Sequence, residues 1–434
     1  TSFNQHGIST RTLLSFGALI MEEEPIVVGL DVGTAKVCSL VARVENGSNL
    51  RILGVGIEPT KGIRKGIVTD ITAASESIAR SIEKAERTSG FEINSAIVNL
   101  AGMQVSSTIS KGAVGISGRV IDQEDVYRAL DSAQAIAVPH NREIVHVIQR
   151  GFSVDGQEGI RQPVGMHGFR MEVEAHIITS AASSMENLRQ CISMAGIDVS
   201  QFVLNPLASG ESILSETERE MGVAVIDLGA GTTSVAIYVK GDVFHANVLG
   251  VGGDLVTSDI AQGLRLPLEV AEEVKLKHGY AVLEDIHEDE SFNVITFGSE
   301  QSTKVDRREL VNIIEARVEE IFMMVHQELK HSGYDSLLPA GLVLTGGGSQ
   351  MPGIRKLASK VIGLPARIGK PERMVGLTDQ ISSPAFATSI GLLDWGILFS
   401  ETTQIAPERP GKSQRANNNS KADGFVQWLK RMLP

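Results

Sequence analysis

Residues 26–34 read Ile-Val-Val-Gly-Leu-Asp-Val-Gly-Thr, and residues 223–232 read Val-Ala-Val-Ile-Asp-Leu-Gly-Ala-Gly-Thr. Each is an apolar run, long enough for a buried strand, that ends in Asp-x-Gly. A Leu-Gly-Val-Gly run follows each of them, in both cases 22 residues beyond the aspartate, Asp31 or Asp227. A shared motif with a shared interval indicates a duplicated unit. Two such units facing each other would place two carboxylates and two glycine turns around one cleft.

The composition narrows the class of protein. A chain of 434 residues with 42% apolar residues should form two or more globular domains. Its net charge of −12 argues against broad binding to nucleic acid, which needs a basic surface. Cys38 and Cys191 are too few for a disulfide framework, and no metal-ligand cluster of Cys and His is visible. No apolar run reaches the roughly 18–20 residues that span a bilayer.

The first residues do not match a folded element. Residues 12–21 are apolar and follow Arg11, but three glutamates at 22–24 come next where a signal peptide would have a small-residue cleavage site. We expect residues 1–24 to be a flexible extension.

The chain alternates between predicted strands and helices. Alternating runs at 36–44 and 51–58 predict a hairpin, and helical spacing follows at 70–87 with Asp70 as a cap. Residues 105–185 break the rhythm, with two predicted strands (144–148 and 171–178) and a helix near 123–137. We interpret this part as an inserted subdomain in an α/β protein.

The second unit, from residue 223, repeats the order strand, turn, strand, strand. Helices are predicted at 254–264 and 268–278, a strand pair around 281–297, and a long helix at 307–331 with one apolar face. A further buried strand at 342–345 runs into three glycines.

The chemistry of the repeated motif suits a metal–phosphate site. A glycine turn lets the backbone amides approach phosphate oxygens, and the aspartate can hold magnesium directly or through water. Lys36 adds a cation that could reach terminal phosphates. One copy of the motif is weak evidence for such a site, because buried strands often end in Asp-Gly turns. Two copies at a matched interval are stronger evidence.

A third glycine-rich segment is Thr345-Gly346-Gly347-Gly348-Ser349. Glycines there would let a purine or ribose lie flat against the backbone. A tight turn between a strand and a helix explains this segment equally well when it is taken alone.

The order of the three segments resembles the two phosphate loops and the adenosine loop of the actin-like ATPases. The short helices predicted near 205–215 and 387–393 resemble the two connecting helices of that fold. The superfamily also contains sugar kinases, heat-shock chaperones and MreB, so these loops imply ATP rather than one task.

Further stretches narrow the resemblance to the FtsA family of bacterial cell-division proteins. They are residues 30–36, Ile144-Val145-His146-Val147-Ile148, 155–160, 163–165, 256–261 and 343–347. The resemblance implies an α/β, actin-like (ribonuclease H-like) fold with duplicated domains around a nucleotide cleft and an FtsA-type inserted subdomain. It divides the chain into a flexible extension (1–24), subdomain 1A (25–104, 186–220 and 387–400), inserted subdomain 1C (105–185), subdomain 2A (221–254 and 336–386), subdomain 2B (255–335), a disordered linker (401–423) and an amphipathic membrane-targeting helix (424–434).

The resemblance also implies roles for individual residues, with ATP and Mg²⁺ as cofactors. Asp31 and Asp227 would organise magnesium through water. The implied nucleotide-binding residues are Asp31, Gly33, Thr34, Ala35, Lys36, Asp227, Gly229, Ala230, Gly231, Thr232, Thr233, Gly253, Glu272, Lys275, Gly346, Gly347, Gly348, Ser349 and Met351. An ordinary helical salt pair explains Glu272 and Lys275 about as well.

One position departs from the pattern of active ATPases. Relatives that hydrolyse ATP well place Glu or Gln near the start of the first connecting helix, where it orients the attacking water. This chain has Asn205 there, just before Pro206. Asparagine is shorter and is no base, so we expect tight ATP binding with weak or no turnover.

The last eleven residues carry an apolar stripe at helical period, with cations on the other face. The residues predicted to contact the membrane are Phe425, Val426, Trp428, Leu429, Lys430, Arg431, Met432 and Leu433. Such a helix suits an anionic membrane surface. A ten-residue helix binds weakly as one copy, so polymerisation would raise the affinity through avidity. Docking of the helix on its own core is the alternative.

Three functions remain open at this point. The first is a polymer-forming adaptor that tethers the C-terminal tail of FtsZ to the cytoplasmic face of the inner membrane at the division site. Arg317 and Glu320 would contact FtsZ, although a solvated charged face explains them almost as well, and residues 105–185 would recruit later divisome proteins. The second is an actin-like small-molecule kinase, and the third is an actin-like scaffold of a pilus or shape-determining system.

Overall fold

A computed structural model describes residues 25–45, 49–135, 138–298 and 301–404. The predicted N-terminal extension (1–24) and membrane-targeting helix (424–434) lie outside the described residues. The described chain folds into two α/β lobes, each on its own sheet, with a third sheet inserted after the first strands.

The first lobe begins with the predicted hairpin. In chain order, its first elements are β1 (Ile26–Val32), β2 (Lys36–Glu45), β3 (Asn49–Pro59), β4 (Ile63–Arg64), β5 (Ile67–Val68), α1 (Ile71–Ser89) and β6 (Ser95–Leu100). Helix α1 starts at the predicted cap, since the Asp70 carboxylate accepts a hydrogen bond from the Ala73 amide (3.0 Å). It lies so close to β3 that a side chain at Gly54 or Gly56 would collide with its backbone.

The inserted part forms a four-stranded antiparallel sheet. Its elements are β7 (Val105–Val120), α2 (Gln123–Gln134), β8 (Arg142–Val154), β9 (Gln157–Ile160) and β10 (His167–Ala181), and the strand order is β7-β10-β8-β9. The helix and the two strands expected here are confirmed. Strands β7 and β9 were missed because they are rich in Ser, Gly and exposed polar residues, and pairing with their neighbours holds them in place.

The chain then returns to the first lobe and crosses to the second. The next elements are α3 (Ala182–Met194), β11 (Asp198–Leu204), α4 (Asn205–Ile213), α5 (Glu216–Met221), β12 (Val223–Leu228), β13 (Thr233–Val239) and β14 (Asp242–Leu249). The duplication is visible in the register. Asp31 pairs with Cys38, and Asp227 pairs with Ser234, seven residues on in each case.

The downstream Leu-Gly-Val-Gly runs are not equivalent in the structure. In the first lobe Gly54 and Gly56 lie within β3 against α1. In the second lobe Gly250 and Gly252 lie beyond the end of β14, at the entry to a helix. In both lobes the interval of 22 residues ends at a leucine of the third strand. This leucine lies inside β3 in the first lobe but is the last residue of β14 in the second, because the hairpin of the first lobe is longer.

The remaining elements complete the second lobe and return to the first. They are α6 (Gly253–Gly263), α7 (Leu268–His278), β15 (Ser291–Ile295), β16 (Ser302–Asp306), α8 (Arg307–Ser332), β17 (Leu342–Thr345), α9 (Ile354–Ile362), β18 (Ala366–Ile368), β19 (Met374–Gly376) and α10 (Ala387–Gln404). The strand pair expected around 281–297 is partly confirmed. One strand of it, β15, lies in this range, but residues 283–285 form a 3₁₀ turn, and the partner strand is β16.

The two large sheets have related orders, β11-β6-β1-β2-β3-β19 and β14-β13-β12-β17-β18. The central strands β1 and β12 each pair with an antiparallel and a parallel neighbour. Helices α4 and α10 pack against each other, with Gly391 so close to the Ala208 carbonyl that a Cβ atom would stand 1.7 Å from it. None of the helices in the described part of the chain has the length and apolar character needed to cross a bilayer.

Candidate functional site

A cavity of about 500 Å³ lies between the two lobes. It is lined by the ends of β1 and β12, by α4, α6 and α7, and by the turns after β12 and β17. Of the residues that the sequence assigns to nucleotide binding, the cavity wall contains Asp31, Gly33, Thr34, Ala35, Lys36, Asp227, Gly229, Ala230, Gly231, Thr232, Thr233, Gly253, Glu272, Lys275, Gly346, Gly347, Gly348 and Met351. Asn205 also lines it.

The turns after the two aspartates close in the same way. The Gly33 amide donates to the Lys36 carbonyl (3.0 Å), and the Gly229 amide donates to the Thr232 carbonyl (2.9 Å). Each turn brings a glycine-rich backbone to the cavity from one lobe, which is the arrangement that cradles phosphate oxygens.

Asp31 is buried at the end of β1 and is held at both carboxylate oxygens. Asn99 donates to Oδ1 (2.8 Å) and Ser389 donates to Oδ2 (2.6 Å). Burial raises the pKa of Asp31, against the lowering effects of Lys36 and of the Ser389 hydroxyl.

Asp227 holds the equivalent place in the second lobe. Its Oδ2 accepts from the Thr388 hydroxyl (2.9 Å) and, at a longer 3.4 Å, from the Asn205 amide. Burial raises the pKa of Asp227 to about 6, and the negative charge of Asp31 adds to that rise against the Thr388 hydrogen bond. A cation between the two carboxylates would relieve this repulsion.

A chain of amides connects the aspartates across the cleft. The Asn99 side-chain nitrogen donates both to Asp31 and to the Asn205 oxygen (2.8 Å), while the Asn99 oxygen accepts from the Val32 amide (2.6 Å). The Asn205 nitrogen then points to Asp227. Both ends of the Asn205 amide are therefore directed to protein groups.

Lys36 lies at the same end of the cavity. Its ammonium group donates to the Ala385 carbonyl (2.7 Å) and stands 4.3 Å from the centre of the Phe386 ring. These two contacts hold the Lys36 ammonium group between the first glycine turn and the start of α10.

The third glycine segment meets Asp227 directly. Gly346 has a φ of 80°, and a Cβ atom on it would stand 2.3 Å from Asp227 Oδ1, so only glycine fits. Ser349 departs from its expected role as a ligand contact. It is buried beneath the loop, where its hydroxyl donates to the Gly346 carbonyl (2.7 Å) and shapes the turn instead of lining the cavity.

Glu272 and Lys275 form both a helical salt pair and part of the wall. Their charged atoms are 2.6 Å apart, and the Lys275 ammonium also donates to the Thr257 hydroxyl (2.8 Å) and the Gly253 carbonyl (3.3 Å). The Thr257 hydroxyl in turn donates to Glu272. A helical salt pair and a nucleotide-binding role are thus compatible for these two residues.

The donor set suits a hydrated divalent cation. Within the described ranges no group of three or more His, Cys, Asp or Glu side chains could hold a metal by itself. Asp31 and Asp227 supply two carboxylates, so the remaining ligands would come from water and phosphate, which is the usual way that Mg²⁺ binds.

Arg317 and Glu320 lie away from the cavity on α8, where Val318 and Ile321 are the residues that reach it. Arg317 pairs with Glu320 and with both carboxylate oxygens of Asp259, one of them at 3.1 Å. Any partner that contacts Arg317 must compete with these acids.

The sequence does not predict several polar residues of the site. Asn99, Thr388 and Ser389 fix the two aspartates, yet none belongs to a recognisable motif. Asn99 offers one weak signal, since it is an amide within the buried strand β6.

Two family models match the chain. "Cell division protein FtsA" matches residues 224–391, and "SHS2 domain inserted in FTSA" matches residues 102–179, which cover most of the inserted sheet. Among curated proteins, the cell division protein FtsA of Pseudomonas aeruginosa is 39% identical over 86% of this chain and 89% of that one. FtsA of Borreliella burgdorferi is 42% identical over 85% and 90%.

Solved structures resemble the fold. A PilM–PilN type IV pilus biogenesis complex aligns with a TM-score of 0.61 at 17% identity, over 86% of this chain and 98% of that one. MreB5 of Spiroplasma citri bound to ADP aligns with a TM-score of 0.52 at 16% identity, over 88% and 98%.

The duplicated lobes, their shared cleft and these structural neighbours define an actin-like protein, as the sequence predicted, and the predicted inserted subdomain is an SHS2 domain. Within that class, the chain belongs to the FtsA family of cell division proteins.

Proposed function

We propose that this protein binds ATP with Mg²⁺ in the cleft, polymerises, and tethers FtsZ to the cytoplasmic face of the inner membrane at the division site. The observation that carries the proposal is the meeting of two Asp-Gly turns, one from each lobe, with a third glycine loop around a single cavity. The division into subdomains given by the sequence is part of the proposal.

The cleft residues divide the work of holding a nucleotide. Amides of the turns at Gly33 and Gly229 would donate to phosphate oxygens, and Lys36 would supply a positive charge. Asp31 and Asp227 would hold magnesium through water, which would neutralise two carboxylates that now repel each other. The Gly346–Gly348 backbone and the Glu272–Lys275 pair would frame the adenosine. A structural neighbour, MreB5, is described as bound to ADP and to AMPPNP.

The same cleft supports binding better than turnover. Magnesium supplies the charge that stabilises transferring phosphates. A water molecule, however, needs a group that orients or deprotonates it. Asn205 is no base, and its amide is already bonded to Asn99 and directed to Asp227. We therefore propose a nucleotide clamp that holds the two lobes in a shape fit for assembly.

The proposed attachments use three parts of the chain outside the cleft. The stripe at 424–434 would lie in an anionic membrane, and polymerisation would multiply its weak affinity. Arg317 and Glu320 on α8 would contact the C-terminal tail of FtsZ. The inserted sheet would present a surface to later divisome proteins.

A flotation experiment tests both attachments. The full chain, with ATP and Mg²⁺, is mixed with FtsZ and vesicles that contain anionic lipid. We expect the chain to float with the vesicles and to bring FtsZ with it. Trp428→Glu should abolish flotation of the chain and of FtsZ. Asn418→Glu, which adds the same charge in the preceding linker, should leave flotation of both proteins unchanged.

Arg317→Ala should leave the chain on the vesicles and reduce the FtsZ that floats with it. Asp259→Asn is the matched control, because it breaks the same internal ion pair but keeps the cation. Flotation of Trp428→Glu at the wild-type level would refute the membrane role. Equal FtsZ recovery with Arg317→Ala would refute the contact at α8.

A further inference from the structure

A small hairpin in the first lobe is built on an unusual turn. Strands β4 and β5 are joined by Lys65 and Gly66, which both have positive φ, 50° and 69°. Asn and Gly are the residues that favour such a turn, whereas lysine is strained in the left-handed region. An observed strain of this kind raises the question of what the residue does.

The tip of this hairpin touches both phosphate loops. The Gly66 amide donates to the Thr34 hydroxyl (3.2 Å), in the turn after β1. The backbone of Lys65 lies against Gly231, in the turn after β12, so closely that a Cβ atom on Gly231 would stand 2.9 Å from the Lys65 nitrogen and Cα. The hairpin belongs to one lobe and contacts the loop of the other.

The turn conformation alone would not be informative, because the chain contains a second example. Lys240 and Gly241 join β13 to β14 with φ values of 54° and 87°. That turn contacts Glu220 and Arg161. What distinguishes Lys65 is its place against the two loops.

The hairpin also places positive charge beside these two loops. Lys65 and its neighbour Arg64 are exposed, and in the described ranges neither forms an ion pair. Arg64 is close enough to Asp254, at the start of α6 in the second lobe, to influence its ionisation: burial raises the pKa of Asp254, and Lys275 and Arg64 oppose that rise. A cation with no acid partner, beside two loops suited to phosphate, is complementary to an anion.

We propose that Lys65 contacts the terminal phosphate of a bound nucleoside triphosphate, so that the hairpin distinguishes the triphosphate from the diphosphate. The inference rests on the proposed nucleotide cleft and specifies which end of the ligand the hairpin recognises. The four-carbon stem of lysine is flexible, so the ammonium group can reach an anion placed between Thr34 and Gly231. Because the hairpin contacts both loops, its position changes when bound phosphates draw the two loops together.

The variant Lys65→Asn separates binding from stability. Asparagine tolerates the left-handed turn, so the ligand-free protein should melt at the same temperature or higher. Affinity for Mg²⁺ with an ATP analogue that has a non-cleavable terminal phosphate should fall about tenfold, since a charge-assisted hydrogen bond is lost. Affinity for Mg²⁺ with ADP should change by less than about twofold, because the contact is absent there. Calorimetric titration measures both.

The matched control is Lys240→Asn, which makes the same substitution in the same kind of turn and should leave both affinities unchanged. Equal losses for the two nucleotides, or no loss with either, would overturn the role of Lys65 while the proposed cleft stands. Failure of the wild-type chain to bind either nucleotide would overturn the proposed function and this inference together.

Discussion

At the scale of single residues, the proposal that the cleft binds ATP but hydrolyses it slowly rests on the orientation of one amide. The Asn205 oxygen accepts from Asn99 at 2.8 Å, and its nitrogen faces Asp227 at 3.4 Å. The side chain lines the cavity, but both of its polar atoms are directed to these protein groups. A longer amide at this position could keep one of these contacts and still reach a water molecule.

Asn205→Gln should therefore raise ATP turnover, by about tenfold if orientation of the water is restored. Its affinity for ATP should stay within about twofold of wild type, because the phosphate loops are untouched. Release of inorganic phosphate by the purified full chain measures the turnover. Asn141→Gln, the same change at an exposed site, is the control. No gain in turnover would mean that the length of this side chain does not limit hydrolysis.

At the scale of elements, a short helix is fixed to the second lobe by one carboxylate. Glu218 closes a capping box at the start of α5, where it accepts from the Ser215 amide (2.9 Å). It also accepts two hydrogen bonds from Arg367 of β18 (2.6 and 2.7 Å). The hydrogen bond from Arg367 is the main cause that lowers the pKa of Glu218 to about 2.

Glu218→Gln should lower the free energy of unfolding at pH 6 by about 1 kcal/mol, a value reduced for partial exposure to solvent. The sign follows from the lowered pKa. The carboxylate stabilises the fold above its ordinary pKa near 4.5, and this contribution is lost as the pH falls toward about 2.

The difference in the free energy of unfolding between Glu218→Gln and wild type should therefore shrink when urea titrations are repeated at successively lower pH below 4.5. Glu216→Gln, an exposed change in the same helical turn, should cost little at any pH. A difference that stays constant between pH 6 and pH 3 would show that the ion pair is not its source.

At the scale of the whole molecule, the inserted sheet connects the two lobes. Arg150 of β8 is buried between two rings of the second lobe, with its guanidinium carbon 4.2 Å from the centre of Phe244 and 5.4 Å from that of Tyr334. It donates to the Tyr334 hydroxyl (2.6 Å) and pairs with Glu174 (2.9 Å). Movement of one lobe against the other must break this contact or carry the insert along.

Arg150→Met should keep the aliphatic stem and remove the charge, which releases the insert from the edge strand β14. We expect amide hydrogen exchange in residues 242–249 to become about tenfold faster, because a desolvated cation–π contact of this kind is worth on the order of 1–2 kcal/mol. Arg170→Met, at an exposed position of the same sheet, is the control. Unchanged exchange in β14 would mean that other contacts hold the insert.

The sequence alone determined the parts that local pattern encodes. Each apolar run that ends in Asp-x-Gly became a central strand with its aspartate at the cleft. Such features depend on residues a few positions apart, so their spacing is readable before folding. The resemblance to the FtsA family likewise depended on short stretches of sequence.

Only the tertiary structure decided what holds these parts in place. Asp31 accepts from Ser389, 358 residues away, and Arg150 finds its aromatic partners in the other lobe. The tertiary structure also set Ser349 beneath its loop and Lys65 against Gly231. No periodicity records contacts between residues so far apart, because they arise from how the lobes pack. Sequence thus specified the loops of the cleft, and packing specified their geometry.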